Sequence, residues 1–199
     1  MNTALVIGAN GLLGSAISQA LQAQYHVVPA SRSHATHPVD IAKPESLRQL
    51  FAQVGTVDAI ICTAGLVNFR GFAAATDSDW DHGLANKLMG QVNVVRLGAE
   101  HVRPGGSIIL TTGVLAQYPM PGSSIVTTVN AAVEAFVRAA ALELKGQVRV
   151  NAVSPGWITE TLAYMKMDTS PGLPAAEVAK AYLGLLASDQ TGEIQVAKR

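Results

Sequence analysis

The stretch ALVIGANGLLG at positions 4–14 decides the fold of this chain of 199 residues. Its first four residues have the composition of a buried strand, and three regularly spaced glycines lead from them into a helical pattern. Backbone N–H groups at such a helix start lie at the positive end of the helix dipole, which favours a pyrophosphate. Gly8 is expected to make the tight turn, Gly11 to let phosphates approach closely, and Gly14 to let helix and strand pack.

Short apolar runs alternate with longer helical patterns along the rest of the chain. The predicted strands cover residues 3–7, 26–30, 58–62, 107–111, 148–153 and 193–196, with a very short one near Val39. The predicted helices cover residues 11–24, 44–53, 80–102, 125–144 and 175–186. Continuously apolar strands separated by helices indicate a parallel sheet with helices on both faces. We therefore predict a Rossmann-type, doubly wound α/β fold of three layers, with residues 1–199 forming one dinucleotide-binding domain.

Composition and charge narrow the functional class. Lysine and arginine number 14 and so do aspartate and glutamate, which gives no basic surface for nucleic acid or an acidic membrane. The single cysteine, Cys62, excludes an intrachain disulfide and fits a reducing compartment. The first strand starts near Met1 without room for a signal peptide, and no apolar run approaches the roughly 20 residues of a membrane helix. These features together predict a cytoplasmic protein. His34 and His37 lack further ligands nearby, so no metal site is expected.

The end of the second strand points to the identity of the cofactor. Ligands of a doubly wound sheet bind beyond the carboxyl ends of its strands, and an NAD site usually has an acidic residue there for the ribose hydroxyls. This chain has Ser31, Arg32 and Ser33 instead. A guanidinium binds a 2′-phosphate through paired charged hydrogen bonds, and the serines would add neutral ones. The pattern predicts NADP(H), although a solvated loop arginine would give the same sequence.

Two further strand ends complete the predicted cofactor site. Asp40 is placed either near the adenine or as a cap of the helix that begins near Pro44. Gly65 would allow the backbone to lie close to a ligand, or would make an ordinary turn. The residues predicted at these strand ends to contact the cofactor are Gly8, Asn10, Gly11, Leu12, Leu13, Gly14, Ser31, Arg32, Ser33, Asp40, Ile41, Thr63, Ala64 and Gly65.

From end to end, the chain resembles the short-chain dehydrogenase/reductase superfamily. The resemblance rests on the glycine loop at 8–14, CTAG at 62–65, NAAVEAF at 130–136 and RVNAVSPGW at 149–157. It implies a nicotinamide-dependent oxidoreductase, commonly a dimer or tetramer. It also implies that the nicotinamide end of the cofactor lies by Pro155, Gly156, Ile158 and Thr159.

The helix predicted at 125–144 bears on the oligomeric state. It is rich in alanine and valine around its whole circumference, which suits burial against the sheet and against a second subunit. A helix wholly inside one subunit would have the same composition. We expect a homodimer or homotetramer.

The resemblance breaks down at the proton donor. The family carries a Tyr-x-x-x-Lys pair on one helix face, helped by a serine and an asparagine. Registering on NAAVEAF places Val126 at the tyrosine and Asn130 at the lysine, and the serine position falls on Gly113. Lys87 stands at the asparagine position. Valine has no dissociable proton, so the family's usual proton transfer is not available to this chain.

Three residues are the candidates for the remaining polar chemistry: Lys87, Thr112 and Asn130. Lys87 either contacts the cofactor or serves as an acid with a pKa lowered by burial, or else it is a surface or interface lysine. Thr112 either bonds a substrate carbonyl or only bonds the backbone. Tyr118 is a weaker replacement for the missing phenol. The sequence thus predicts an NADP(H)-dependent oxidoreductase of a small carbonyl or alcohol with an altered proton donor, or alternatively a non-catalytic NADP(H)-binding sensor or scaffold.

Overall fold

The computed structural model describes residues 1–33 and 36–199, so His34 lies outside the described residues. Its centre is a parallel sheet with the strand order β3-β2-β1-β4-β5-β6-β7. The strands are β1 (Asn2–Ile7), β2 (Tyr25–Ser31), β3 (His37–Pro38), β4 (Val57–Cys62), β5 (Val102–Thr111), β6 (Arg149–Pro155) and β7 (Ile194–Ala197). The direction of winding reverses between β1 and β4, and such a reversal opens a crevice at the carboxyl ends of the strands.

Helices cover both faces of the sheet in the described part of the chain. They are α1 (Leu12–Leu21), α2 (Pro44–Val54), α3 (Asp77–Gly83), α4 (Met89–Gly98), α5 (Ser124–Glu143), α6 (Thr159–Tyr164) and α7 (Ala175–Ala187). A π-helical turn, Leu84–Leu88, joins α3 to α4, and single 3-10 turns cover Phe72–Ala74, Ala99–His101 and Val114–Ala116.

Two apolar layers hold the helices on the sheet. On one face, Phe51 of α2, Val94 of α4 and Val137 of α5 are buried against the sheet. On the other face, Ile17 of α1 and Tyr182 of α7 are fully buried. Burying such side chains is the main stabilising contribution to the fold. The predicted three-layer, doubly wound α/β fold is confirmed.

The long helix predicted at 80–102 is wrong in its extent and continuity. It begins earlier, at Asp77, because Thr76 and Asp79 form a reciprocal capping box. The π-helical turn then interrupts it, and β5 already starts at Val102 rather than at residue 107. Helix α6 was not predicted, and β3 pairs through His37–Pro38 rather than Val39.

Helix α5 also differs from the expectation about apolar runs. Among the described residues, it is the one helix long and apolar enough to cross a membrane by length and composition. Half of its apolar stretch is buried inside the fold, and Val129, Val133 and Val137 are fully buried. A core helix of a globular protein meets the same composition test, and α5 is packed as one.

Candidate active site

A cavity of about 370 Å³ lies at the carboxyl ends of β1, β2 and β4. Every residue predicted at the strand ends lines it, from the glycine loop through Arg32 to Gly65. Four further residues complete its wall: Ile7, Val39, Leu66 and Asn86. The structure therefore brings together in one crevice the whole set of residues predicted there from local sequence signals.

The glycine loop has the geometry that its spacing predicts. Gly8 has a φ of +94°, and a methyl group on it would lie 2.6 Å from Thr63 Oγ1. A methyl group on Gly14 would overlap the carbonyl oxygen of Gly8, so helix and strand can meet only with glycine there. Gly11 is the N-cap of α1, and no side chain caps the first amides of that helix. These amides border the cavity and suit an anionic group.

The loop after β2 is held by short polar contacts. Ser31 Oγ donates to the carbonyl of Ser33 at 2.7 Å, and Asn10 Nδ2 donates to the same oxygen at 2.9 Å. The Ser31 hydroxyl hydrogen therefore shapes the loop rather than facing a ligand. Arg32 is exposed at the cavity rim and forms no ion pair with any residue of 1–33 or 36–199.

Asp40 does not cap α2, which decides one of the two open interpretations of this residue. The N-cap of α2 is Lys43, three residues further on. Asp40 Oδ1 instead accepts from the N–H of Ala42 at 3.1 Å, and Asp40 Oδ2 lies 3.9 Å from Lys43 Nζ. Asp40 and Ile41 thus stand on the rim of the large cavity, in a turn that the Asp40 side chain itself stabilises.

A second cavity of about 170 Å³ lies at the carboxyl ends of β5 and β6. Four of its lining residues were predicted as site residues: Thr112, Asn130, Pro155 and Gly156. The others are Phe69, Gly113, Val114, Leu115 and Trp157. The rings of Phe69 and Trp157 face each other with centroids 6.4 Å apart and planes 21° apart. A stacked pair of aromatic rings therefore lines part of this cavity.

Ile158 and Thr159, which the resemblance places by the nicotinamide, do not line either of these two cavities. Ile158 packs beside the apolar layer of α1 and α7 and forms a bridge to Leu173. The N–H of Thr159 donates to the carbonyl of Leu173 at 3.1 Å. Both residues thus contact the segment just before α7, and α6 begins at Thr159.

Lys87 is buried inside the fold rather than on a surface or interface. Its ammonium donates to the carbonyl of Thr111 at 2.6 Å, and Gln91 Nε2 donates to the same oxygen at 2.8 Å. Gln91 Oε1 accepts in turn from the N–H of Thr111 at 3.0 Å. Burial lowers the pKa of Lys87 to about 8. The Lys87 amine is therefore bonded to the backbone of Thr111, and Lys87 does not line either of the two cavities.

Asn130, at the register of the family lysine, and Lys87, at the register of the family asparagine, form no hydrogen bond with each other in the described part of the chain. Asn130 Nδ2 lies against Gly113, where an added methyl group would be 3.1 Å from it. Asn130 Oδ1 is buried and has no hydrogen-bond partner among the described residues. A buried polar atom without a partner is uncommon and is often found at functional sites.

Sequence reasoning missed Glu134, which is buried on the same face of α5 one turn after Asn130. Thr112 Oγ1 donates to Glu134 Oε1 at 3.2 Å and lies 3.4 Å from the carbonyl of Val153. Gln117 Nε2 donates to Glu134 Oε2 at 2.5 Å, and Arg138 Nη2 lies 3.8 Å from that oxygen. The available signal was a charged residue four positions after Asn130, on a helix face whose other buried residues are apolar.

Tyr118, Tyr164 and Tyr182 do not line the small cavity. The ring of Tyr118 is largely exposed and lies under Lys198 Nζ, 4.4 Å from its centroid. Tyr164 is 90% exposed. Tyr182 is fully buried and its hydroxyl bonds Thr111 Oγ1 at 2.7 Å. Val126, at the register of the family tyrosine, is buried in α5.

Comparisons with known proteins agree with this geometry. A family model described as enoyl-(acyl carrier protein) reductase matches residues 8–195. Versicolorin reductase 1 of Aspergillus parasiticus is 29% identical over 180 residues, which span 78% of this chain and 69% of the relative.

Two solved structures cover nearly the whole chain. The protein lin1944 of Listeria innocua is 33% identical, has a TM-score of 0.94, and is aligned over 98% of this chain and 99% of its own. A small-chain dehydrogenase in complex with NADPH is 25% identical, with a TM-score of 0.89 over 98% and 96% of the two chains.

Proposed function

This chain belongs to the short-chain dehydrogenase/reductase superfamily of nicotinamide-dependent oxidoreductases, and we propose that it interconverts a small carbonyl compound and its alcohol with NADP(H). The observation that carries the proposal is the large cavity, in which the glycine loop, the exposed Arg32 and the backbone at Gly65 meet at one sheet edge. A cavity of this composition at the switch point of a doubly wound sheet fits a dinucleotide.

The residues of the large cavity fit the parts of this cofactor. The uncapped first amides of α1, at Leu12 and Leu13, would hold the pyrophosphate. Arg32 has no carboxylate partner among the described residues and would bind a 2′-phosphate, with the Ser33 hydroxyl beside it. The relative that was solved with NADPH supports this choice of cofactor. When bound, the nicotinamide supplies hydride donation and acceptance.

The small cavity would hold the substrate. Its volume of about 170 Å³ fits a small molecule, and the Phe69 and Trp157 rings favour a flat one. The Asn130 amide lies beside Gly113 and can donate a hydrogen bond to the substrate oxygen. It stabilises charge on that oxygen but provides no proton, so the site departs from the family pattern at proton transfer.

A second candidate function is a non-catalytic NADP(H)-binding sensor or scaffold. It is favoured by Val126 at the register of the family tyrosine and by the tie between the Lys87 ammonium and the Thr111 carbonyl. Neither feature alters the dinucleotide cavity. The tyrosine that would protonate a product is replaced by Val126, and the Lys87 ammonium is already bonded to the backbone.

The purified protein tests the two candidates. We expect tight NADPH binding, and NADPH oxidation with at least one member of a panel of small aryl and alkyl aldehydes, ketones and quinones, or NADP⁺ reduction with the matching alcohols. Tight binding without turnover across the panel in both directions would favour the sensor. Absence of binding to both NADPH and NADH would contradict both candidates.

We also propose that the chain forms a homodimer or homotetramer through α5. Half of this helix is covered by the rest of the chain, and its outer face carries the exposed, mostly small residues Thr128, Ala131, Ala135, Ala139 and Leu142. Small side chains let two helices approach closely. Light scattering on the wild type and on Ala135→Arg would measure the association, and a monomeric wild type would contradict it.

A further inference from the structure

The Thr112 hydroxyl connects the small cavity to a buried carboxylate. Thr112 lines the cavity, and its single hydroxyl hydrogen has two acceptors inside the protein, Glu134 Oε1 at 3.2 Å and the Val153 carbonyl at 3.4 Å. A hydroxyl that donates inwards keeps its oxygen lone pairs for another donor. Thr112 can therefore accept a hydrogen bond from a substrate hydroxyl while it donates to Glu134.

The surroundings of Glu134 complement a negative charge. Gln117 Nε2 donates to Oε2, and the Arg138 guanidinium lies 3.8 Å from the same oxygen. Oε1 is left for Thr112. Each carboxylate oxygen thus has a defined partner, and Oε1 is the one bonded to the hydroxyl of Thr112, a residue that lines the cavity.

We propose that Glu134, acting through Thr112, is the proton acceptor of the reaction in place of the missing phenol; this rests on the proposed oxidoreductase function. In the oxidation direction, the substrate hydroxyl gives its proton to Thr112 Oγ1, and Thr112 gives its own proton to Glu134 Oε1. The carbon–oxygen double bond forms as the carbinol carbon loses its hydride to the oxidised nicotinamide. The substrate leaves as a carbonyl compound, and Glu134 leaves the step as a neutral carboxylic acid.

The carbonyl compound is reduced along the same path in reverse. The other polar groups near the small cavity are poorer candidates for this proton. Asn130 holds no dissociable proton, and the Lys87 amine is bonded to the Thr111 carbonyl outside the cavity lining. Among the described residues that line this cavity or bond to one that does, Glu134 is the acidic side chain with a hydroxyl bridge to the substrate space.

The proposal is tested with Thr112→Val, which removes the hydroxyl at nearly constant shape, and with Glu134→Gln, which removes the acid. Thr112→Ser restores the hydroxyl. Thr56→Val and Glu143→Gln are matched controls, because both residues are exposed and neither lines a cavity. Folding is checked by thermal unfolding and NADPH affinity, and the steady-state rates are measured with the substrate that gives turnover in the panel.

We expect Thr112→Val and Glu134→Gln each to lower kcat by about 100-fold, with KM and NADPH affinity changed by about twofold or less. The double variant should be no slower than the slower single variant, because both changes interrupt one path. Thr112→Ser should recover most of the loss, and the two controls should match the wild type. In mixtures of light and heavy water, the wild-type rate should fall along a curve, as required when two protons move together.

A measurement without cofactor tests the bond itself. A double-mutant cycle of the unfolding equilibrium for Thr112→Val and Glu134→Gln should show coupling of about tenfold in the equilibrium constant. If the wild type turns over but kcat is unchanged in Thr112→Val and Glu134→Gln, this inference alone is overturned. The same holds if the wild-type rate falls linearly with the fraction of heavy water. No turnover with any panel substrate would overturn the proposed oxidoreductase function together with it.

Discussion

The side chain of Lys87 lies against the α-carbon of Gly65, so closely that a methyl group on Gly65 would be 2.6 Å from Lys87 Cδ. Gly65 lines the large cavity, and its φ of +140° is one that side chains rarely adopt. One wall of the cavity is therefore a bare stretch of backbone resting on a buried lysine.

Gly65→Ala should weaken NADPH binding by about tenfold or more, because the added methyl group displaces Lys87 or the cavity wall. The strained backbone should also lower the free energy of unfolding by about 1–3 kcal/mol. Calorimetric titration and chemical unfolding measure the two effects. Gly71→Ala is the control, since a methyl group there has open space. Unchanged NADPH affinity in Gly65→Ala would contradict a cofactor contact at this position.

Lys87→Met should change how stability depends on pH. The pKa of Lys87 is lowered from 10.5 to about 8, so between these values the unfolded chain keeps the proton that the folded protein has released. The free energy of unfolding of the wild type therefore gains up to about 3 kcal/mol from Lys87 as pH rises through this window. We expect urea unfolding to show that the free energy of unfolding of the wild type, minus that of Lys87→Met, rises from pH 7 to pH 10. A flat difference would contradict the lowered pKa.

Arg32→Ala should weaken NADPH binding by about tenfold or more and leave NADH binding within about twofold, because only NADPH carries the 2′-phosphate. The preference for NADPH should also fall as salt is added, since an exposed ion pair is screened. Fluorescence titration with both cofactors measures the change. Arg48→Ala is the matched control, because Arg48 is an exposed arginine paired with Glu45 away from the cavity. NADPH binding that survives Arg32→Ala unchanged would make Arg32 a solvated loop residue.

Tyr182→Phe should lower the free energy of unfolding by about 1–2 kcal/mol. Thr111 Oγ1 donates to the carbonyl of Cys62 at 2.7 Å, so the Tyr182 hydroxyl must be the donor in its 2.7 Å bond to Thr111. Removing that donor leaves the phenyl ring in place and takes one buried bond from Thr111. Tyr164→Phe, at an exposed tyrosine, should leave stability unchanged in the same unfolding experiment.

The large cavity could be predicted from the sequence because its residues follow local patterns. Each signal, whether a strand end, the glycine spacing or Arg32 directly after β2, is contained in a few consecutive residues. The small cavity is different. Glu134 bonds Thr112 across 22 positions of the sequence, so this pair leaves no local signal. The same holds for the buried pair of Gln91 and Thr111 beside it, which are 20 positions apart.

The predictions that failed are instructive for a similar reason. The π-helical turn at Leu84–Leu88 has no hydrophobic period of its own, and it was read as part of a continuous helix. Lys87 was correctly singled out as unusual, yet its partner is a backbone carbonyl, which no side-chain pattern can identify.

Thr111 uses each of its polar atoms within the fold: its N–H bonds Gln91, its carbonyl accepts from Lys87 and Gln91, and its hydroxyl joins Cys62 and Tyr182. A substitution that removes the hydroxyl, such as Thr111→Val, would take this partner from the Cys62 carbonyl on β4 and the Tyr182 hydroxyl on α7 at once, while the backbone bonds to Lys87 and Gln91 would remain. Among relatives of this chain, we expect the stacked pair of Phe69 and Trp157 to vary with the substrate while the Thr111 hydroxyl is retained.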